Sequence, residues 1–365
     1  MAEFDQFRPP EEPRRPRRRG GPRGERGYGR KQRRGEELMV PEAQFEQFDS
    51  YYGKPIVKFP PWEWPIAGYL FLGGLAGGSS LLAAGGRAMG NNELARNARV
   101  TAFGAAGIGS AFLVLDLGRP ERLLHMFRVF KLSSPMSVGA WILAAFSGMA
   151  AVPAAAELDD MTGRRVPAPG ALRDFLHFAA TPAGIGAGLL GSPLAVYTAV
   201  LLGDTSVPMW QAGRKVLPAL FVSSASCASG GAGLVTTSAP NNGPARVLAV
   251  AGAVADVAAT RALKRSVGDV MGETLETGKA GRLLRAAEGC VIGGGLAAAL
   301  AGRNRVAGAL AGAALMAGSC LTRFGIMQAG RQSVEDPKYL VETQRNRLAR
   351  RVGRGQVGDS ITTAR

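Results

Sequence analysis

Histidine is almost missing from this chain, which has 365 residues and two imidazoles, His125 and His177. A membrane haem of the b type takes two imidazoles per iron from facing helices. The two histidines fall on opposite sides of the topology reached below, so no haem is expected. Cysteine is nearly as scarce. Cys227, Cys290 and Cys320 all lie inside apolar runs. An iron–sulfur cluster takes four thiolates and a disulfide framework takes regular pairs, so neither is expected. The three read as small buried apolar residues. No metal site is expected either. The glycines near the first apolar run have no strand–turn–helix context, which excludes a dinucleotide fingerprint.

The chain is rich in apolar residues (46%), glycine (51 residues) and positive charge (+16). In a soluble protein that charge would point to nucleic acid. Here it sits in the tails and short links, so no specific nucleic-acid partner is expected. Residues 1–50, with PRRPRRRGGPRGERGYGRKQRRG, hold almost nothing for a core. They are expected to be a disordered basic arm that meets anionic membrane lipid. Arg14 and Arg15 suggest an export signal, but no apolar region follows at the required distance.

From residue 51 to 327 the chain alternates apolar runs with short charged links. The runs are roughly 20 residues long, the length a bilayer core of about 30 Å requires. They are apolar all round, whereas a soluble helix would be apolar on one face. The expected fold is all-α, a polytopic bundle of eight transmembrane helices. The spans are 64–84, 95–116, 136–156, 176–202, 216–238, 245–262, 284–301 and 306–326. Gly73 and Gly77, and Gly74 and Gly78, are spaced to make a flat packing face on the first helix. Trp62 and Trp64 suit the headgroup boundary. Residues 328–365 are expected to be a basic polar tail.

The stretch 115–141, LDLGRPERLLHMFRVFKLSSPMSVGAW, interrupts this pattern. It reads as an amphipathic surface hairpin between the second and third spans. Arg119, Arg122, Arg128 and Lys131 make it a candidate docking face for a redox partner. Ionisable groups in or near spans are functional candidates by default. Asp116 ends the second span, Asp204 the fourth, and Glu288 sits early in the seventh. Asp256 is the deepest carboxylate, and with Asp116 it is a candidate for a proton path. Glu63 lies at the mouth of the first span. His125, as an imidazole, suits proton relay or hydrogen bonding.

Three stretches resemble the NrfD/PsrC family, the integral-membrane subunit of polysulfide reductase, nitrite reductase and related complexes. They are PWEWPIAGYLFLGGLAGG (61–78), LDLGRPERLLHMFRVFKLSSPMSVGAWIL (115–143) and GSPLAVYTAVLLGDTSVPMW (191–210). The resemblance covers the first five spans, and its most specific part is the LGRP hairpin followed by SPMSxGxW. It implies an eight-helix subunit without haem or iron–sulfur cluster of its own. Such a subunit binds menaquinone or ubiquinone near the face that docks a four-cluster-type iron–sulfur subunit. That partner exchanges electrons with a molybdopterin catalytic subunit. By motif position, the resemblance places the quinone headgroup at Trp62, Glu63 and Tyr197. The family site includes an imidazole at the start of its first helix; this sequence has none there, and His125 is the candidate substitute.

Lysine and arginine favour the side that carries both termini and the hairpin. That places both termini in the cytoplasm of a cell-membrane protein. The catalytic module is then cytoplasmic, with formate dehydrogenase as one example. Two other readings remain open at this stage. A secondary transporter would use broken Gly- and Pro-rich helices and a midplane carboxylate such as Asp256. A purely structural anchor would dock enzymes without binding quinone.

Overall fold

The computed structural model describes residues 55–118, 120–164 and 169–354. The expected basic arm, the last residues of the tail and Arg119 lie outside them. The described chain is helical. It comprises α1 (Trp64–Ala88), α2 (Asn92–Asp116), a 3-10 helix (Pro120–Phe127), α3 (Pro135–Met161), α4 (Gly170–Gly203) and a short α5 (Pro208–Gly213). These are followed by α6 (Leu217–Thr236), α7 (Gly243–Glu276), α8 (Gly278–Leu300), α9 (Arg305–Glu335) and α10 (Lys338–Gly353). Seven of them, α1, α2, α3, α4, α6, α8 and α9, are long and apolar enough to cross a membrane. Large apolar side chains such as Phe178, Leu189, Val254 and Leu296 are exposed around the outside, where a bilayer would cover them.

The sixth expected span, 245–262, is the first part of α7. That helix is less apolar than the others, because it carries Arg246, Asp256, Arg261 and Lys264. It also runs on past the expected end through a kink at Gly268, whose φ of +76° suits glycine and few other residues. The last span differs too. It does not stop near Ile326 but continues to Glu335, and α10 follows. Polar residues begin at Gln328, yet Ala329, Gly330, Ser333 and Val334 recur on one helical face and are buried. Ser333 Oγ accepts from the Met209 N–H at 3.3 Å. The expected tail therefore begins as part of the bundle.

Small residues set the helix spacing. Gly77 on α1 and Gly191 on α4 meet so closely that a Cβ on either would strike the other's carbonyl. Gly231 on α6 and Gly312 on α9 do the same. Gly78 faces Ser229 and Gly74 faces Ala225, so three of the four glycines in the expected α1 face pack on a neighbour; Gly73 meets nothing within 4 Å. Serines add bonds at these close approaches. Ser80 Oγ donates to the Ala187 carbonyl at 3.1 Å, and Ser224 and Ser319 share a hydrogen bond of 2.8 Å. Arg305 caps the end of α6 by donating to the carbonyls of Leu234 (2.6 Å) and Thr237 (2.7 Å).

Candidate functional site

The start of α1, the end of α2, the start of α3 and the end of α4 all reach one face of the bundle. The α2–α3 hairpin covers that face. Beneath it lies a mainly apolar cavity of about 230 Å³. Each wall is a helical stripe. Trp62, Ile66, Tyr69 and Leu70 come from the first helix and its approach, and Leu113, Asp116 and Leu117 from the second. Met136 and Ala140 on α3, and Tyr197 and Leu201 on α4, are spaced one turn apart and complete it, with Met126 of the 3-10 helix at the hairpin side.

The most specific motif of the sequence builds this wall. Ser134 caps α3 by accepting from the Ser137 N–H at 3.4 Å, and Pro135 fits the first turn. Ser137 Oγ reaches back to the hairpin, donating to the Val129 carbonyl at 3.1 Å and accepting from the Lys131 N–H at 3.2 Å. Trp141 receives Phe127 and Phe130 edge-on, at ring separations of 5.6 and 6.1 Å. Gly139 leaves room for Tyr197, because a Cβ there would enter the tyrosine ring. Gly139→Ala is therefore expected to cost about 1–3 kcal/mol through overpacking. Thermal unfolding in detergent checks this. The double variant Gly139→Ala with Tyr197→Leu should regain most of the loss.

Trp62 is held in place by a second aromatic layer. Its ring stacks on Trp210 at 5.7 Å, and Phe59 lies against the same indole at 5.6 Å. Trp210 is fully buried and donates its Nε1–H to the Ile326 carbonyl at 2.9 Å. Gly330 gives it space on α9. The last residue of the third motif stretch thus ties the cavity to the final span.

Three of the expected site residues, Trp62, Asp116 and Tyr197, line one cavity. Glu63 is exposed at its mouth and does not line it. The Asp116 carboxylate accepts a hydrogen bond from the Glu63 backbone N–H, so Glu63 serves it by main chain. His125 is exposed on the 3-10 helix, while its neighbour Met126 turns inward. Arg128 and Lys131 are exposed on the hairpin among exposed Leu124, Val129, Phe130 and Leu132. The Arg119 residue and the Arg122 side chain lie outside the described residues. The other histidine, His177, sits towards the opposite face, 3.4 Å from the Asp159 carboxylate.

Two residues that the sequence reading passed over matter here. Tyr69 is buried against the cavity, and neither its hydroxyl nor that of Tyr197 has a hydrogen-bond partner among the described residues. Tyr69 lies three residues after Ile66 and seven after Trp62, a helical spacing that points to one face. The second is Arg323, which is fully buried on α9. It lies against the Phe221 ring at 3.7 Å and donates to the Phe221 carbonyl at 2.8 Å.

Asp256 does not reach the cavity. It is buried on α7 and coupled electrostatically to Arg323 and to Glu288 on α8. Arg323 packs beside Gly74 of α1, one helical turn from the cavity-lining Leu70. Arg323 Nε and Nη1 and Asp256 Oδ1 have no partner among the described residues. Buried polar atoms in that condition are the usual seats of ordered water. Among the described residues no three His, Cys, Asp or Glu side chains converge as a metal site.

A bundle of membrane-crossing helices with a tyrosine-bearing cavity beneath a charged hairpin defines an integral-membrane protein. The family model described as polysulphide reductase, NrfD, matches residues 56–244, just over half of the chain, and the chain belongs to that family. The family supplies membrane subunits of quinone-interacting oxidoreductase complexes, generally beside iron–sulfur and molybdopterin subunits. No curated protein matches the chain.

Proposed function

We propose that this chain is the quinone-binding membrane subunit of an oxidoreductase complex, and that it exchanges electrons between an iron–sulfur partner and menaquinone or ubiquinone. The observation that carries this is the cavity, whose apolar walls bear two unpartnered phenols and one carboxylate. A quinone ring is flat and apolar and carries two carbonyl oxygens. Tyr69 and Tyr197 are the donors for those oxygens, and Trp62 is the flat apolar surface beside the ring. Two electrons and two protons convert the quinone to the quinol. Asp116, at the mouth of the cavity, is the carboxylate placed to pass protons as charge changes on the ring. His125 lies further out, in reach of solvent, as a relay to the aqueous phase.

The hairpin is the docking face in this reading. Arg128 and Lys131 with the exposed apolar side chains around them suit a partner that buries apolar surface and meets the cations with carboxylates. Asp256, Arg323 and Glu288 form an inner branch of the proton path, with water on the unpartnered atoms. The face with the hairpin is cytoplasmic, from the bias of lysine and arginine.

Affinity purification of the full chain from its native membrane tests this reading. Iron–sulfur and molybdopterin proteins with bound quinone are the expected companions. A lone polypeptide without metal-bearing partner or quinone would overturn it and favour the transporter. Partners retained while quinone reduction is indifferent to changes at the cavity would favour the structural anchor.

A further inference from the structure

A second apolar recess lies on the far side of the bundle, outside the stretch that the family model matches. It is an open groove of about 460 Å³ between α7 and α8. Val254 and Val257 form one wall, Val291, Ile292 and Leu296 the other, and Arg261 closes one end. The antiparallel register makes it. Gly295 is pressed against Ala253, where a Cβ would not fit, and the larger side chains splay outward on either side of that contact.

We propose that this groove is a binding site for an anionic phospholipid, with an acyl chain along α7 and α8 and the phosphate on Arg261. The end of the groove decides the occupant. Arg261 is exposed and makes no ion pair among the described residues. Lys264 is taken by Glu276 at 3.4 Å, and Arg285 donates to the Glu276 carbonyl at 2.7 Å. Glu288 on α8 makes no ion pair with Arg261, and its interaction with Asp256 is repulsion between two carboxylates. Arg265, one turn beyond Arg261, is also exposed and makes no ion pair among the described residues. Arg261 is thus an uncompensated cation at the end of an apolar channel.

A transmembrane helix from a partner or a second copy would cover the same walls, but it would bury that cation, which is costly unless the helix brings a carboxylate to meet it. A zwitterionic lipid would fill the walls but cancel much of the attraction. An anionic phosphate satisfies both parts. α7 runs towards the face that carries the hairpin, so the site belongs to the leaflet on that side.

The test uses the full chain, purified in mild detergent and equilibrated with equal amounts of phosphatidylglycerol and phosphatidylcholine. Native mass spectrometry then reads bound lipid per chain. Phosphatidylglycerol is expected to be retained about fivefold more than phosphatidylcholine, the preference one interfacial arginine provides. Arg261→Gln should bring that ratio near one. Ala258→Trp, which fills the groove from an exposed position, should remove the retained lipid. Equal retention of the two lipids by the unaltered chain would overturn the proposal. So would a preference that survives Arg261→Gln, or a dimer of the unaltered chain that Ala258→Trp dissociates.

Discussion

Arg323→Leu is expected to cost roughly 3–5 kcal/mol of stability, the range for removing one member of a buried charged pair. The guanidinium is fully buried and covers the Phe221 ring. It is also the cation coupled to Asp256. Without it, a carboxylate in the bundle interior faces no positive charge. Asp256→Leu alone should also destabilise, because the guanidinium is then unbalanced. The double variant, Asp256→Leu with Arg323→Leu, should be more stable than Arg323→Leu alone, since neither charge is left without the other. Thermal unfolding of the four proteins in one detergent checks this. Additive losses would mean that the two groups do not act as a pair.

Tyr69→Phe together with Tyr197→Phe is expected to weaken quinone binding about 100-fold. Each phenol offers one hydrogen bond to a carbonyl oxygen in an apolar cavity. Losing such a donor costs about 1–1.5 kcal/mol, which is about tenfold in affinity. The fold should be little affected, because neither hydroxyl is bonded to the protein and the rings remain to fill their space. Titration of the purified chain with a short-chain naphthoquinone measures the change. A double variant that binds as well as the unaltered chain would show that the phenols do not hold the ring.

The two results depend on features of unequal visibility. Seven membrane-crossing helices are legible as long apolar runs, because run length is what the bilayer demands. α7 is weaker because its charged residues interrupt the run. The end of α9 was hidden for a different reason. After Gln328 the sequence turns polar on average, and only the recurrence of Ala329, Ser333 and Val334 shows that one face stays buried under α5. The same extension accounts for the burial of Arg323, because the helix runs on to Glu335 and leaves it inside.

At the cavity, Trp62 and Tyr197 are legible by motif position, and Asp116 as an ionisable group at the end of a span. Tyr69 was not singled out, although its spacing from Trp62 and Ile66 puts it on the same face. The positions of Glu63 and His125 are set by features that composition does not encode. Glu63 ends up with its N–H, not its carboxylate, directed to Asp116. The 3-10 geometry of 120–127 turns Met126 inward and leaves His125 at the surface. Gly139 explains itself only in the fold, where the ring of Tyr197 occupies the place of its missing side chain.

The central claim is that quinone occupies the cavity under the hairpin. Photolabelling of the purified chain with an azido-naphthoquinone, followed by peptide mapping, tests it most directly. Label on the peptides that carry Trp62, Tyr69, Met126 and Tyr197, displaced by excess menaquinone, is the result expected. Label confined to α7, α8 or α9, or label that menaquinone does not displace, would contradict it.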